Sequence, residues 1–199
     1  MNLENICNQA IDVIKEVGHY IRQSKESFTE DLIETKGKND FVTAIDKGSE
    51  LRLVAGLKKI LPEAGFIAEE KTDTTTGIEY NWIIDPIDGT TNFIHGVAPH
   101  AISVALVKND IPIIGIVYEI CLDECFYTWE NGKAFCNSKE IKVSKAQKIE
   151  NALIGTGFPY NDYSRMEQFD KTMNYFMRNS HGLRRLGSAA TDLAYVACG

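Results

Sequence analysis

No apolar run in this sequence approaches the length needed to cross a bilayer. Its start, Met1-Asn2-Leu3-Glu4-Asn5, has neither the basic residues nor the apolar stretch of a signal peptide. Positive charge is also short: 21 Lys and Arg stand against 28 Asp and Glu, a net charge of -7. That balance argues against an electrostatic nucleic-acid binder, which needs a basic stripe, and it offers no attraction to anionic lipid. Cysteine is sparse and odd in number. Cys7, Cys121, Cys125, Cys136 and Cys198 are scattered as in a reduced cytoplasmic protein, not paired as in a disulfide scaffold. Cys121 and Cys125 are four apart, but no second ligand pair or nearby histidine completes a zinc site, so they read as packed thiols. Repeats, low-complexity tracts and obvious linkers are missing too. What remains is 44% hydrophobic and 25% charged, an ordinary globular composition expected in the cytoplasm. If the ligand is a phosphate, something other than net charge must attract it, and a metal ion would serve.

Apolar residues at Ile6, Ala10, Ile14, Val17 and Ile21 predict an amphipathic helix from Leu3 to about Lys25. Phe41–Ile45 reads as a short extended or turn segment. A second helix is expected after Asp46, with Leu51, Val54, Leu57 and Leu61 inward and Pro62 as its stop. Gly65–Ala68 predicts a buried strand ending at Glu69 and Glu70. A polar loop, Lys71–Glu79, separates it from a strand at Trp82–Ile84 that delivers Asp85. Strands follow at Ala101–Val107 and Ile113–Tyr118 with a turn at Asn109-Asp110 between them, then a hairpin whose turn is Asn131-Gly132. Beyond Ser144 come a strand at Ala152–Ile154 and a helix with Met166, Phe169, Met173 and Phe176 on one face. A strand at Leu183–Leu186 and a helix from Ser188 complete the pattern. Periodicity alone supports a mixed α/β protein built in layers.

The acids at the strand ends are the candidate chemistry. A single acid there is usually a solvated loop residue or a cap. The segment Asp85-Pro86-Ile87-Asp88-Gly89-Thr90-Thr91 asks more. Pro86 fixes the backbone, Gly89 permits a tight turn, and Asp88 can cap a helix starting near Thr90, whose free amides would make an anion site. A strand–turn–helix junction without chemistry has the same residues, and the two readings are compatible. Were Glu69, Asp85 and Asp88 to converge within ~4 Å, each pair would repel by about 4 kcal/mol at an effective dielectric near 20. A divalent cation turns that penalty into binding, and all-oxygen ligation suits Mg²⁺ or Mn²⁺ rather than zinc.

Trp82 to Gly96, running Trp-Ile-Ile-Asp-Pro-Ile-Asp-Gly-Thr-Thr-Asn-Phe-Ile-His-Gly, resembles the signature of the inositol monophosphatase family. Phe66-Ile67-Ala68-Glu69-Glu70 resembles its upstream acidic motif, with Ala68 where the family usually has glycine. Phe41-Val42-Thr43-Ala44-Ile45-Asp46 and the stretch Arg184–Gly199 resemble two further elements, in the expected order. The resemblance implies a layered αβαβα sandwich of the inositol monophosphatase/fructose-1,6-bisphosphatase type. It would be a single domain over 1–199, with the metal site in 1–145 and an incomplete C-terminal α/β part in 146–199. It implies two or three Mg²⁺ ions, with Mn²⁺ possible. Glu69, Asp85 and the Ile87 carbonyl would hold one ion, and Asp85 and Asp88 a second. Thr90 with Asp46, assisted by Glu69, would serve the attacking water. Asp88, Gly89, Thr90, Gly187, Ser188 and Ala189 would contact the substrate, with Lys36 at the rim or simply solvated. His95 would shape the mouth; His19, His100 and His181 read as structural or exposed.

The implied reaction is hydrolysis of inositol monophosphate or a similar small polyol or sugar phosphate by metal-activated water, lithium-sensitive, in a homodimer without nucleic-acid or membrane partners. Related activities on 3'-phosphoadenosine nucleotides, fructose bisphosphate or histidinol phosphate are the nearest rivals. A non-catalytic protein working through association is the rival from another class. It stays open because the sequence stops at Gly199, before the family's pocket glutamate and Trp-Asp pair, whether as a fragment or a shortened chain. The expectation is an impaired second metal site.

Overall fold

The structure, a computed structural model, describes residues 1–26, 28, 33–37, 40–73, 75–160 and 162–199, with 33–37 and 40–42 described through their backbone alone. Helix α1 (Leu3–Glu26) buries Ile6, Cys7, Ala10, Ile14, Val17, Gly18 and Ile21, a stripe set by steps of three and four. An antiparallel hairpin of β1 (Ile33–Gly37) and β2 (Asp40–Thr43) leads into α2 (Ala44–Ile60). This helix begins before Asp46, not after it. Thr43 is the cap and Asp46 the third helical residue, and each side chain accepts the other's backbone N–H in a capping box. Its buried stripe runs through Asp46, Glu50, Leu53 and Leu57. Leu51, expected inward, sits roughly 100° around the helix from Glu50 and is 55% exposed. The helix ends at Leu61, just before Pro62.

Among the described residues the central sheet has seven strands, in spatial order β3 (Gly65–Ala68), β4 (Tyr80–Asp88), β5 (Ala101–Lys108), β6 (Ile111–Glu119), β7 (Glu124–Trp129), β8 (Phe135–Cys136) and β9 (Lys139–Glu140). β3 pairs parallel with β4, and every later neighbour is antiparallel. Short turns make that meander possible. Asn109-Asp110, Asn131 and Asn137-Ser138 all adopt positive φ, which Asn and Asp tolerate better than most residues. The first two were legible, as Asn109-Asp110 and Asn131-Gly132; the last, and the small β8–β9 hairpin it closes, was not.

Helices α1 and α2 cover one face of the sheet around a core that includes Trp82, Phe66, Leu106 and Tyr118. Helix α5 (Ala189–Cys198) packs on the other. Tyr195 meets Phe126 edge-on and donates to Glu124, while the alternate residues Cys125, Tyr127 and Trp129 join the α1–α2 core. Beyond α5 lies a two-stranded parallel sheet of β10 (Ile154–Gly155) and β11 (Leu183–Arg184), with Gly155 against Asp192. Phe158 and Thr156, just after β10, meet Phe169 and Met173 of α4 (Met166–Asn179), the outermost helix. The layers are those of the expected α/β sandwich. Among the described residues no helix is long and apolar enough to cross a membrane.

Candidate active site

Asp85 and Asp88 both belong to β4, and a regular strand would turn residues three apart to opposite faces. The ladder to β5 is irregular here: Asp85 opposes Ser103, and Asp88 opposes Ala101. Three steps on β4 against two on β5 make one extra residue, a bulge at Pro86-Ile87 that brings the two acids to the same side. The Ile87 amide donates to Asp85 Oδ1 at 3.1 Å and fixes the turn from within. β3 runs parallel beside β4, and the Glu69 amide donates to the Ile84 carbonyl at 3.1 Å, which sets Glu69 next to Asp85. The side chains of Glu69 and Asp85 are close neighbours there. Burial, then the charges of Glu69 and Asp88, push Asp85 up to about 9.

Gly89 follows at φ 91° and caps α3 (Thr90–His95) without any side-chain bond. A Cβ here would sit 3.1 Å from the Gly187 carbonyl and 3.2 Å from that of Pro99, tight contacts that add to the strain the positive φ already imposes on any other residue. The Thr90 hydroxyl lies 2.9 Å from the Ile87 carbonyl and 3.3 Å from Asp46 Oδ1. Asp46 is buried; desolvation raises its pKa, opposed by hydrogen bonds from Thr43 and Thr90. At the other end of α3, the Lys25 ammonium donates to the carbonyls of Phe93 and Ile94, tying α1 to the helix.

Asp88 does not cap α3, as its spacing suggested. Its Oδ2 accepts instead from the Ser188 hydroxyl at 2.5 Å and the Ala190 amide at 2.7 Å, so it joins Ser188 in capping α5. Asn92 makes a second crossing: its Nδ2 donates to the carbonyls of Pro99 and Leu186 at 2.8 and 2.7 Å. These contacts bring Gly187, Ser188 and Ala189 beside the acids. Glu69, Asp85, Ile87, Asp88, Gly89, Thr90 and Asp46 are therefore gathered at one place. Among the described residues, however, no three His, Cys, Asp or Glu side chains form a ready-made metal cage. The Lys36 side chain lies outside the described residues. His95 is exposed at the end of α3, whereas His100 is buried against the ring of Phe93, where burial lowers its pKa.

Two residues of this neighbourhood were missed from the sequence. Asn92 lay within the quoted signature with no role given, and its two bonds are long-range contacts that no local pattern encodes. Glu50 was not singled out; its place four residues after Asp46, on the buried stripe, was the available signal.

A profile describing the inositol monophosphatase family matches residues 2–199. The chain is 37% identical to the inositol-1-monophosphatase of Mesorhizobium japonicum over 84% of its own length and 63% of that protein's. It is 34% identical to the Nus factor SuhB of Pseudomonas aeruginosa over 99% of its length and 74% of that protein's. Among solved structures it superposes on the extragenic suppressor protein suhB of Bartonella henselae with a TM-score of 0.90 at 30% identity, covering 98% of this chain and 75% of that one. The chain thus spans about two thirds to three quarters of the length of these relatives.

Proposed function

The chain belongs to the inositol monophosphatase family, and from that premise we propose that it is a divalent-metal-dependent phosphomonoesterase for a small polyol or sugar phosphate, inositol monophosphate first. The observation that carries the reading is the Asp85–Glu69 pair, two acids set side by side by the bond from the Glu69 amide to the Ile84 carbonyl, with the Thr90–Asp46 pair beyond the β4 bulge. Glu69, Asp85, Asp88 and the Ile87 carbonyl offer only oxygen, a donor set that fits Mg²⁺ or Mn²⁺. An ion held there would supply the positive charge that offsets the acids' repulsion and the Lewis acidity that activates water and leaving oxygen.

The chain's own groups do the rest. Thr90 Oγ1 orients the attacking water, and the water's proton passes through it to Asp46 Oδ1, made more basic by burial. The amides of Gly89 and Thr90 face the phosphate oxygens, while Gly187, Ser188 and Ala189 line the space for the ring. Attack in line on phosphorus then expels the alcohol, with no covalent enzyme intermediate. Lithium inhibition and a homodimer belong to the same proposal.

The test is phosphate release from a panel: inositol monophosphate, 3'-phosphoadenosine nucleotides, fructose bisphosphate and histidinol phosphate, each in Mg²⁺ and in chelator. Release that needs Mg²⁺ and favours inositol monophosphate supports the reading. Preference for another substrate moves the chain to that activity. A second reading, in which the chain works by association, draws on its 34% identity to a protein named a Nus factor. Absence of Mg²⁺-dependent release from every substrate would favour it.

A further inference from the structure

Glu50 is fully buried in α2 and both of its oxygens are engaged by one turn. The Glu70 amide donates to Oε2 at 2.7 Å; the Thr72 amide and hydroxyl donate to Oε1 at 2.8 and 2.7 Å. A carboxylate taken out of water must be matched by donors, and these three are charge-assisted. Between them lies Lys71, at φ 56° in the left-handed region that a side chain rarely adopts. The turn is thus gripped on both sides of its strained residue, directly after Glu69. Four residues earlier on the same buried stripe, Asp46 receives the Thr90 hydroxyl. One face of one helix therefore reaches both sides of the site.

We propose that Glu50 is a positioning residue: by holding the Glu70–Thr72 turn it fixes Glu69 against Asp85 and so sets the site's affinity for its divalent cation. Only an acceptor at both ends can do this. Glutamine would offer one oxygen and one NH₂, and the NH₂ would face a backbone N–H. The inference rests on the metal-dependent reading above and deepens it.

The experiment is calorimetric titration of the full chain with Mg²⁺, for the wild type, Glu50→Gln and Thr72→Val, with hydrogen exchange at Glu70 and Thr72 as a second readout. Glu50→Gln should weaken Mg²⁺ binding by ~10–100-fold, as loss of a partner that orients a ligand commonly does. Thr72→Val, which removes one of the three donors, should shift it less and in the same direction. Exchange at both amides should quicken. A purely structural Glu50 would lower Tm yet leave the Mg²⁺ affinity of both variants at the wild-type value, and that result overturns the proposal alone. If Glu50→Gln does not fold, Thr72→Val decides by the same criterion. A wild type that binds no Mg²⁺ sinks the metal-dependent reading itself, and the role of Glu50 with it.

Discussion

The hydroxyl of Ser188 donates to Asp88 across a hundred residues of chain, and the same Asp88 oxygen accepts the amide of Ala190. An acid of the β4 bulge thereby serves as a cap for α5, while Ser188 itself accepts the Thr191 amide. The second half of the site is not merely adjacent to the first; it is hydrogen bonded to one of the proposed ligands.

Ser188→Ala is expected to cost about 1–2 kcal/mol through the lost cap, and more through the lost bond to a charged partner. If Ser188 also lines the substrate space, KM should rise more than kcat falls. Denaturant unfolding and steady-state kinetics read the two effects separately.

Asn92→Ala leaves the carbonyls of Pro99 and Leu186 without their shared donor. Each such loss costs about 1–3 kcal/mol in a buried setting. At roughly 2–4 °C per kcal/mol for a chain of this size, Tm should fall by about 5 °C or more. A melting curve within 1 °C or so of the wild type would show that the fork holds nothing.

The pH behaviour of the metal-free protein follows from Asp85. Its folded pKa, about 9, is raised above the unfolded value of ~3.9. The stability this contributes is fully present below the unfolded value and is lost as pH rises through the folded one, because over that window the unfolded chain has released a proton the folded chain keeps. Asp46, also raised by burial, acts in the same direction. In chelator, Tm should therefore fall from pH 5 to pH 9, and Asp85→Asn should remove much of the slope. Stabilisation by Mg²⁺, which takes the proton's place, should grow over the same range.

Thr90→Ala keeps the amide and removes the hydroxyl that bridges Ile87 and Asp46. On whichever substrate of the panel is turned over, kcat should drop by ~10²-fold or more with little change in KM, and Thr90→Ser should recover most of it. An unchanged kcat would leave the hydroxyl a structural role only.

What the sequence disclosed was local. The period of α1, the stop at Pro62, the turn at Asn131-Gly132 and the Asp-Pro-Ile-Asp-Gly-Thr junction are each written within a few residues, and each was found near its expected place. Where neighbours in space decide, the reading failed. Asp46 sat three residues inside its helix, because Thr43 supplies the reciprocal cap. Leu51 and Leu53 are equally apolar, and only the layer beneath α2 selects the second. Glu50 has the composition of any surface helix residue, yet the turn after β3 closes over it. Nor did any local pattern say that Asp88 would turn toward α5, since its partners lie a hundred residues away.

The central claim is that Glu69, Asp85 and Asp88 form a divalent-cation site, and calorimetric titration of the wild type and Asp85→Asn with Mg²⁺ near neutral pH tests it most directly. The account predicts saturable binding by the wild type with release of the proton held by Asp85, and loss of both in Asp85→Asn. Binding that is equally strong in the variant, or no saturable binding by the wild type in millimolar Mg²⁺, would contradict it.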